Sequence, residues 1–324
     1  MRRRDDEVTL RGTGDPAKPR EDPAAPEATT ATRDDALPVT RDSAADFAAP
    51  CEEPERALEV IGGRYELIRR VGRGGMGAVY LARDRAIGDQ VAVKVLSEAR
   101  PAAARFAREC AILASLRHER VVRYRDHGVT EGGSAWLVMD WLSGSDLAAR
   151  IAQSPLYLDE GLRVLRDAAE ALAAVHAAGI VHRDVKPSNL FLIDGALDRV
   201  KLIDFGIARA PGSSALTFNG EFLGTPGYVA PEQVDSARPA GPSSDVFSLG
   251  CTVWACFTGA SPFRGANPLS SLSALFNGGV PSLREARPDV PAAIDRLVAA
   301  MIQRDPTHRP ADGRAVLEAL EASR

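Results

Sequence analysis

The sequence predicts an α+β chain of two lobes, a small antiparallel sheet with one helix followed by a larger, mainly helical lobe. Three observations predict it. Residues 1–60 differ in composition from everything that follows. β-Branched and aromatic runs parted by short Gly/Asp turns fill most of 65–140, and beyond Gly144 apolar residues recur at spacings of three and four. The expected boundaries are a tail over 1–60, a first lobe over 61–142 and a second over 143–324.

The tail holds one aromatic, Phe47, amid Ala, Pro, Thr and Asp, and carries 9 Lys+Arg against 15 Asp+Glu, a net of −6. So few apolar groups cannot offset the entropy of ordering, and the tail is expected to be disordered. The remainder, 31 against 29, has a net of +2, which argues against a generic nucleic-acid or anionic-membrane binder. Cys51, Cys110, Cys251 and Cys256 form no CxxC pair and the five histidines no HExxH, so neither a zinc site nor a disulfide framework is expected. The basic start, Met1 to Arg4, meets Asp5, Asp6 and Glu7 instead of an apolar run, so no secretory leader is expected. Val246 to Phe263 is interrupted by Ser, Thr and Gly and preceded by Asp245, which suits a core helix better than a membrane span. The expected location is cytoplasmic.

In the first lobe, Tyr65–Ile68, Ala78–Ala82, Val91–Leu96, Val121–Tyr124 and Ala135–Asp140 read as about five strands. Between the third and fourth, Pro101 to Leu116 is helical, with Phe106, Cys110, Leu113 and Leu116 on one face. In the second lobe Asp159 is the expected N-cap of a helix with Leu162, Leu165, Ala169, Leu172 and Val175 on its apolar face and Gly179 at its end. Leu190–Ile193 and Val200–Ile203 read as strands flanking an Asp194-Gly195 turn. Val246–Phe257, Ala292–Ile302 and Ala311–Ala322 read as helices.

Gly72-Arg73-Gly74-Gly75-Met76-Gly77 is a GxGxxG followed by Ala78 and Val79. A dinucleotide fingerprint would open a helix and meet an acidic residue about 20 positions on. Here a strand follows and Ala92 stands at that distance, which favours a flap whose backbone N–H groups face a triphosphate. Lys94, in Val91-Ala92-Val93-Lys94, is either a snorkelling edge lysine or a phosphate clamp, and Glu109 on the following helix is its natural partner. The strongest signal is His182-Arg183-Asp184-Val185-Lys186-Pro187-Ser188-Asn189, followed by Asp204-Phe205-Gly206 and Ala230-Pro231-Glu232, in that order behind the glycine loop and the lysine.

On these motifs the chain from Tyr65 to about Leu320 resembles a protein kinase, specifically a bacterial eukaryotic-like Ser/Thr kinase. The Gly-Met-Gly loop tip and Gly224-Thr225-Pro226-Gly227-Tyr228 are similar to that group. The resemblance implies a bilobal kinase fold and transfer of the γ-phosphate of ATP to protein Ser/Thr hydroxyls, with Mg²⁺ as cofactor. Asp184 would take or orient the substrate proton, and Lys186 would offset charge at the γ-phosphate. Lys94 would clamp the α- and β-phosphates, held by Glu109, and Asn189 and Asp204 would ligate the metal. Gly72, Gly74, Gly77, Val79, Ala92, Met139 (gatekeeper), Asp140 and Leu142 (hinge) would shape the nucleotide site. His182 and Phe205 would stack with Leu113, Asp245 would anchor the catalytic loop, Thr225 would support Asp184 and Lys186, and Arg309 would pair with Glu232.

The competing reading is a pseudokinase or scaffold that binds nucleotide without turnover, disfavoured by the intact Lys94, Asp184, Asn189 and Asp204. Two further expectations concern regulation: autophosphorylation at Thr217, ordered through Arg183, and a phosphothreonine-reading partner for the tail, where Thr32 precedes Asp35 by three.

Overall fold

The computed structural model describes residues 59–74, 77–99, 103–206, 227–234 and 239–323. The tail through residue 58, with Thr32, and the segment 207–226, with Thr217 and Thr225, lie outside the described residues.

The first lobe is built from β1 (Val60–Ile61), β2 (Tyr65–Gly74), β3 (Gly77–Asp84), β4 (Gln90–Ala99), α1 (Ala103–Ser115), β5 (Tyr124–Val129) and β6 (Ser134–Asp140). The strands pair antiparallel in the order β1-β2-β3-β4-β6-β5. Among the described residues this is one strand more than expected: Val60 and Ile61 pair with Glu66 and Tyr65 as a short edge. β4 reads as one apolar run because both of its faces are covered. Val91 and Val93 pack with Ile61, Tyr65, Leu67, Trp136 and Val138 in one cluster. Ala92 joins Phe106, Leu113, Leu137 and Met139 in the main core. Alternation along the strand puts Lys94 on the face of Ala92.

One expected strand is corrected. Val121–Tyr124 is not a strand; β5 begins at Tyr124. Val121 and Val122 are apolar because they are buried against the second lobe, where Val121 bridges Leu202 in parallel. β5 itself is polar because its side chains are paired: Arg125 donates to Asp140 at 2.6 Å and the Tyr65 hydroxyl to Asp126 at 2.7 Å.

The second lobe runs through β7 (Gly144–Asp146), α2 (Leu147–Gln153), α3 (Leu158–Ala177), β8 (Leu190–Ile193), β9 (Val200–Leu202), α4 (Pro231–Val234), α5 (Pro242–Thr258), α6 (Pro268–Asn277), α7 (Leu283–Ala286), α8 (Ala292–Met301) and α9 (Gly313–Glu321). β7, β8 and β9 form a small antiparallel sheet. The cap of α3 differs from expectation: the N-cap is Tyr157, whose backbone N–H is satisfied by Glu160 Oε2 at 2.9 Å, while Asp159 lies in the first turn and faces Arg163. Both acids sit where the helix dipole favours them, so the dipole placed Asp159 without making it the cap. Gly179, at φ +74°, lies in the left-handed conformation that follows the helix end. α5 is buried on nearly every side, from Ser244 to Phe257, which explains an apolar run that is central helix. Among the described residues no helix is long and apolar enough to cross a membrane.

Candidate active site

A cleft of about 600 Å³ opens between the lobes. Val79 on β3 and Ala92 on β4 line one side, and Phe191 on β8, Ile203 and Asp204 line the other. Met139, at the end of β6, and Asp140-Trp141-Leu142 line the side where the chain passes between lobes. Trp141 and Phe191 were not singled out from sequence; their type and their places next to Asp140 and Leu190 were the available signals.

The glycine motif forms the end of the β2–β3 hairpin, with Gly74 opposite Gly77; Gly75 and Met76 lie outside the described residues. Gly77 has φ +143°, and a Cβ there would stand 2.1 Å from Val95 O, so only glycine fits. Gly72 pairs with Val79 across the hairpin. A strand therefore follows the motif, where a dinucleotide fingerprint would open a helix.

Lys94 is buried in β4, and its Nζ lies 2.9 Å from Asp204 Oδ1. This ion pair joins the sheet of the first lobe to the segment after β9. Glu109 is half-buried on α1, between the buried Phe106 and Leu113.

The segment 182–189 is held by the second lobe. His182 is fully buried, its Nε2–H donates to Ile203 O at 2.9 Å, and Asp184 N–H donates to its Nδ1 at 3.3 Å. That pattern is the neutral tautomer, in keeping with burial holding its pKa below the usual 6.5. Asp245 accepts from the backbone N–H of His182 and of Arg183, both at 2.7 Å, and lies 2.9 Å from His176 Nε2. Gly313 N–H donates to His176 Nδ1, so the Nε2–H points at Asp245. Gln233, on α4, donates from Nε2 to Arg183 O at 2.9 Å. Sequence reasoning missed His176 and Gln233, since each acts across more than 45 residues of chain. Arg183, at φ +65°, is held left-handed by these bonds.

With the loop so braced, Lys186 Nζ stands 3.2 Å from Asp184 Oδ2. Asn189 Nδ2 donates to Asp184 O at 2.7 Å and Oδ2 at 3.0 Å, which leaves its amide oxygen as its remaining acceptor. Asp204, at φ +61°, is fixed from both sides: Ile203 N–H donates to Asn189 O and Gly206 N–H to His182 O. Phe205 packs on His182 with ring centroids 4.5 Å apart and edge-on to Tyr124 at 5.7 Å. Leu113 belongs to the same buried cluster.

Among the described residues no three His, Cys, Asp or Glu gather as a metal cage. One carboxylate and one amide oxygen are instead what Mg²⁺ needs when it keeps waters and shares substrate phosphates. The carboxylate of Asp204 and the amide oxygen of Asn189 are donors of that kind and fit that ion.

The family described as "Protein kinase domain" matches residues 65–321. The chain belongs to this family. This kinase domain is 35% identical over 274 residues to serine/threonine-protein kinase pkn2 of Myxococcus xanthus, covering 82% of this chain and 33% of the relative. It is 37% identical over 252 residues to PknE of Mycobacterium tuberculosis, covering 76% and 44%. PrkC of Bacillus subtilis is 35% identical over 254 residues, at 77% and 39%. The chain thus spans between a third and a half of the length of these relatives. Among solved structures, the kinase domain resembles Rad53 1-466 in complex with AMP-PNP, at TM-score 0.65 and 28% identity, covering 78% of this chain and 64% of that one.

In the kinase domain Glu232 and Arg309 form the buried pair expected of them. Two parallel bonds of 2.7 and 2.9 Å join them, and Ser244 Oγ donates to Glu232 at 2.7 Å. Arg309 also donates to the carbonyls of Gln303, Ser243 and Arg304 and lies over the Phe247 ring at 4.8 Å.

Proposed function

We propose that this protein is an ATP- and Mg²⁺-dependent kinase that phosphorylates serine and threonine hydroxyls of protein substrates. The observation that carries the reading is the convergence of Asp184, Lys186 and Asn189 on one loop with the Lys94–Asp204 pair at the cleft. Phosphoryl transfer has a loose transition state, so positioning and charge neutralisation supply most of the rate. Asp184 accepts the proton of the attacking hydroxyl as its oxygen bonds to the γ-phosphorus and the bond to the ADP oxygen breaks. Lys186 offsets charge on the transferring group. Lys94, held by Glu109, clamps the α- and β-phosphates. Asp204 and Asn189 would hold Mg²⁺, which would supply charge neutralisation at the phosphates. Asp140 to Leu142 offer backbone groups to adenine, with Met139, Val79 and Ala92 around the ring, and the hairpin glycines Gly72, Gly74 and Gly77 cover the phosphates.

The same reading includes autophosphorylation at Thr217 ordered through Arg183, a phosphothreonine-reading partner for the tail around Thr32, and a cytoplasmic site of action. A phosphate adds about −1.5 to −2 charge and can pair bidentately with a guanidinium. The test is incubation with radiolabelled ATP, Mg²⁺ and a Ser/Thr-containing protein, followed by phosphoamino-acid analysis and peptide mapping. Label on serine or threonine is expected from the wild type and none from Asp184→Asn, which keeps volume and nucleotide binding. Near-normal turnover by folded Asp184→Asn would sink the assignment. Thr217→Ala is expected to lower turnover while nucleotide still binds; full activity with no phosphate on Thr217 would refute the regulatory part.

A further inference from the structure

Outside the cleft, a group of charges around the buried Asp167 joins the two lobes. The segment between α1 and β5 crosses to β9, where Leu202 N–H donates to Arg120 O at 2.8 Å and Val122 N–H to Leu202 O at 3.0 Å. Leu202 is therefore held through both of its backbone polar groups, two residues before Asp204. The Arg120 side chain carries the same segment onto α3, with NH1 2.8 Å from Asp167 Oδ2. Asp167 is only 5% exposed.

The pair is incomplete. Arg120 NH1 spends its directed bond on Asp198 O at 2.8 Å, and neither Asp167 Oδ2 nor Arg120 Nε has an aligned hydrogen bond. Asp167 thus receives charge compensation by proximity without a hydrogen bond at that oxygen. Glu119 and Glu170 stand 3.6 and 3.7 Å from Arg120 Nε and compete for the same guanidinium. Lys201 Nζ is committed to Glu119 O, and Arg166, next to Asp167, has a buried NH2 with no hydrogen bond.

We propose that Arg120 and Asp167 are positioning residues for Asp204: the pair clamps the 118–122 segment to α3, and that segment fixes Leu202 and so the carboxylate after β9. This rests on the reading of Asp204 as a metal ligand. The grip depends on the Asp167 proton. Burial pushes its carboxyl up to about 6, with Arg120 and a hydrogen bond from the Val200 backbone opposing and Glu170 and Asp198 adding to the rise. A carboxyl raised in the folded state binds its proton more tightly there than in the unfolded chain. Its contribution to stability is then greatest in acid and lost as pH rises through about 6. Acidification strengthens the fold at this site while it releases Arg120 and loosens Asp204. Stability and metal affinity move in opposite directions, which a carboxylate with a merely structural role would not produce.

The test compares the wild-type chain with Asp167→Asn and Arg120→Lys. Three readouts are taken: Mg²⁺ titration of ATP binding at neutral pH, amide hydrogen exchange at Leu202 and Ile203, and the melting temperature against pH. Asp167→Asn is expected to need about tenfold more Mg²⁺ for half-saturation, a typical effect of losing an outer support of a metal ligand. Leu202 should exchange faster, and metal-free nucleotide binding should not change. Its melting temperature should equal or exceed that of the wild type at neutral pH, with the difference shrinking as pH falls below about 6 and vanishing only below the ordinary carboxylate value of 3.8. His182 titrates equally in both proteins and cancels in that difference. Arg120→Lys keeps the charge but loses the fork, and should shift the same readouts in the same direction; it serves if Asp167→Asn fails to fold. Unchanged Mg²⁺ dependence and exchange in a folded variant would overturn the proposal. If wild-type ATP binding ignores Mg²⁺, the reading of Asp204 falls instead, and exchange at Leu202 alone decides whether the clamp exists.

Discussion

Asp204 is the residue on which most of the site's constraints meet. Its left-handed backbone is disfavoured for a non-glycine residue by about 1–3 kcal/mol, and the bonds at Ile203 and Gly206 hold it there. The resulting side chain reaches Lys94 on the opposite lobe at 2.9 Å. A carboxylate is a better ligand than an amide for a hard dication. Asp204→Asn is therefore expected to raise the Mg²⁺ concentration needed for nucleotide binding by about tenfold or more. The check is nucleotide affinity titrated against Mg²⁺; an unchanged curve would remove Asp204 from the metal site. Asp184, Lys186 and Asn189 were legible as residues because their order and spacing lie in one eight-residue run. Their mutual distances were not, since the brace from Asp245, His176 and Gln233 comes from α5, α3 and α4.

At the scale of elements, the second lobe is tied together where α4, α5 and the turn after α8 meet. Glu232 and Arg309 are 6% exposed each, and the guanidinium has its remaining donors on three carbonyls. Such a pair adds little over a well-packed apolar substitute, but breaking it strands a buried charge. Arg309→Ala is expected to cost roughly 3–5 kcal/mol in chemical denaturation, with the midpoint shifted and the slope kept. A loss under about 1 kcal/mol would show the pair to be worth no more than an exposed one. The helices themselves were legible because α3 and α8 have one apolar face each. β5 was not legible: its alternation is broken by Arg125, Asp126 and His127, and the neighbouring Val121 and Val122 owe their apolar character to the other lobe. β1 escaped notice because two residues carry no period.

At the scale of the whole chain, the described fold begins at Glu59, and Ile61 is buried beside Trp136 and Tyr65. Arg64 makes two bonds of 2.7 Å to the buried Asp84. Removing residues 1–58 is expected to leave phosphotransfer and melting temperature nearly unchanged. Removing 1–64 takes away β1, Ile61 and the Arg64–Asp84 pair, and burial of Ile61 alone is worth about 1.5–3 kcal/mol. Calorimetry of the two truncations checks this, and equal melting would show that β1 adds nothing. The sequence by itself determined the family, the order of lobes and the motifs that carry Lys94, Asp184, Asn189 and Asp204. Those depend on short motifs and local periods, whose meaning is carried within a few residues. Only the tertiary structure decided that Lys94 faces Asp204, that His176 and Gln233 brace the 182–189 loop, and that Arg120 reaches Asp167. Such pairs join residues scores of positions apart, at distances set by how helices dock on the small sheets, and no local pattern encodes that docking.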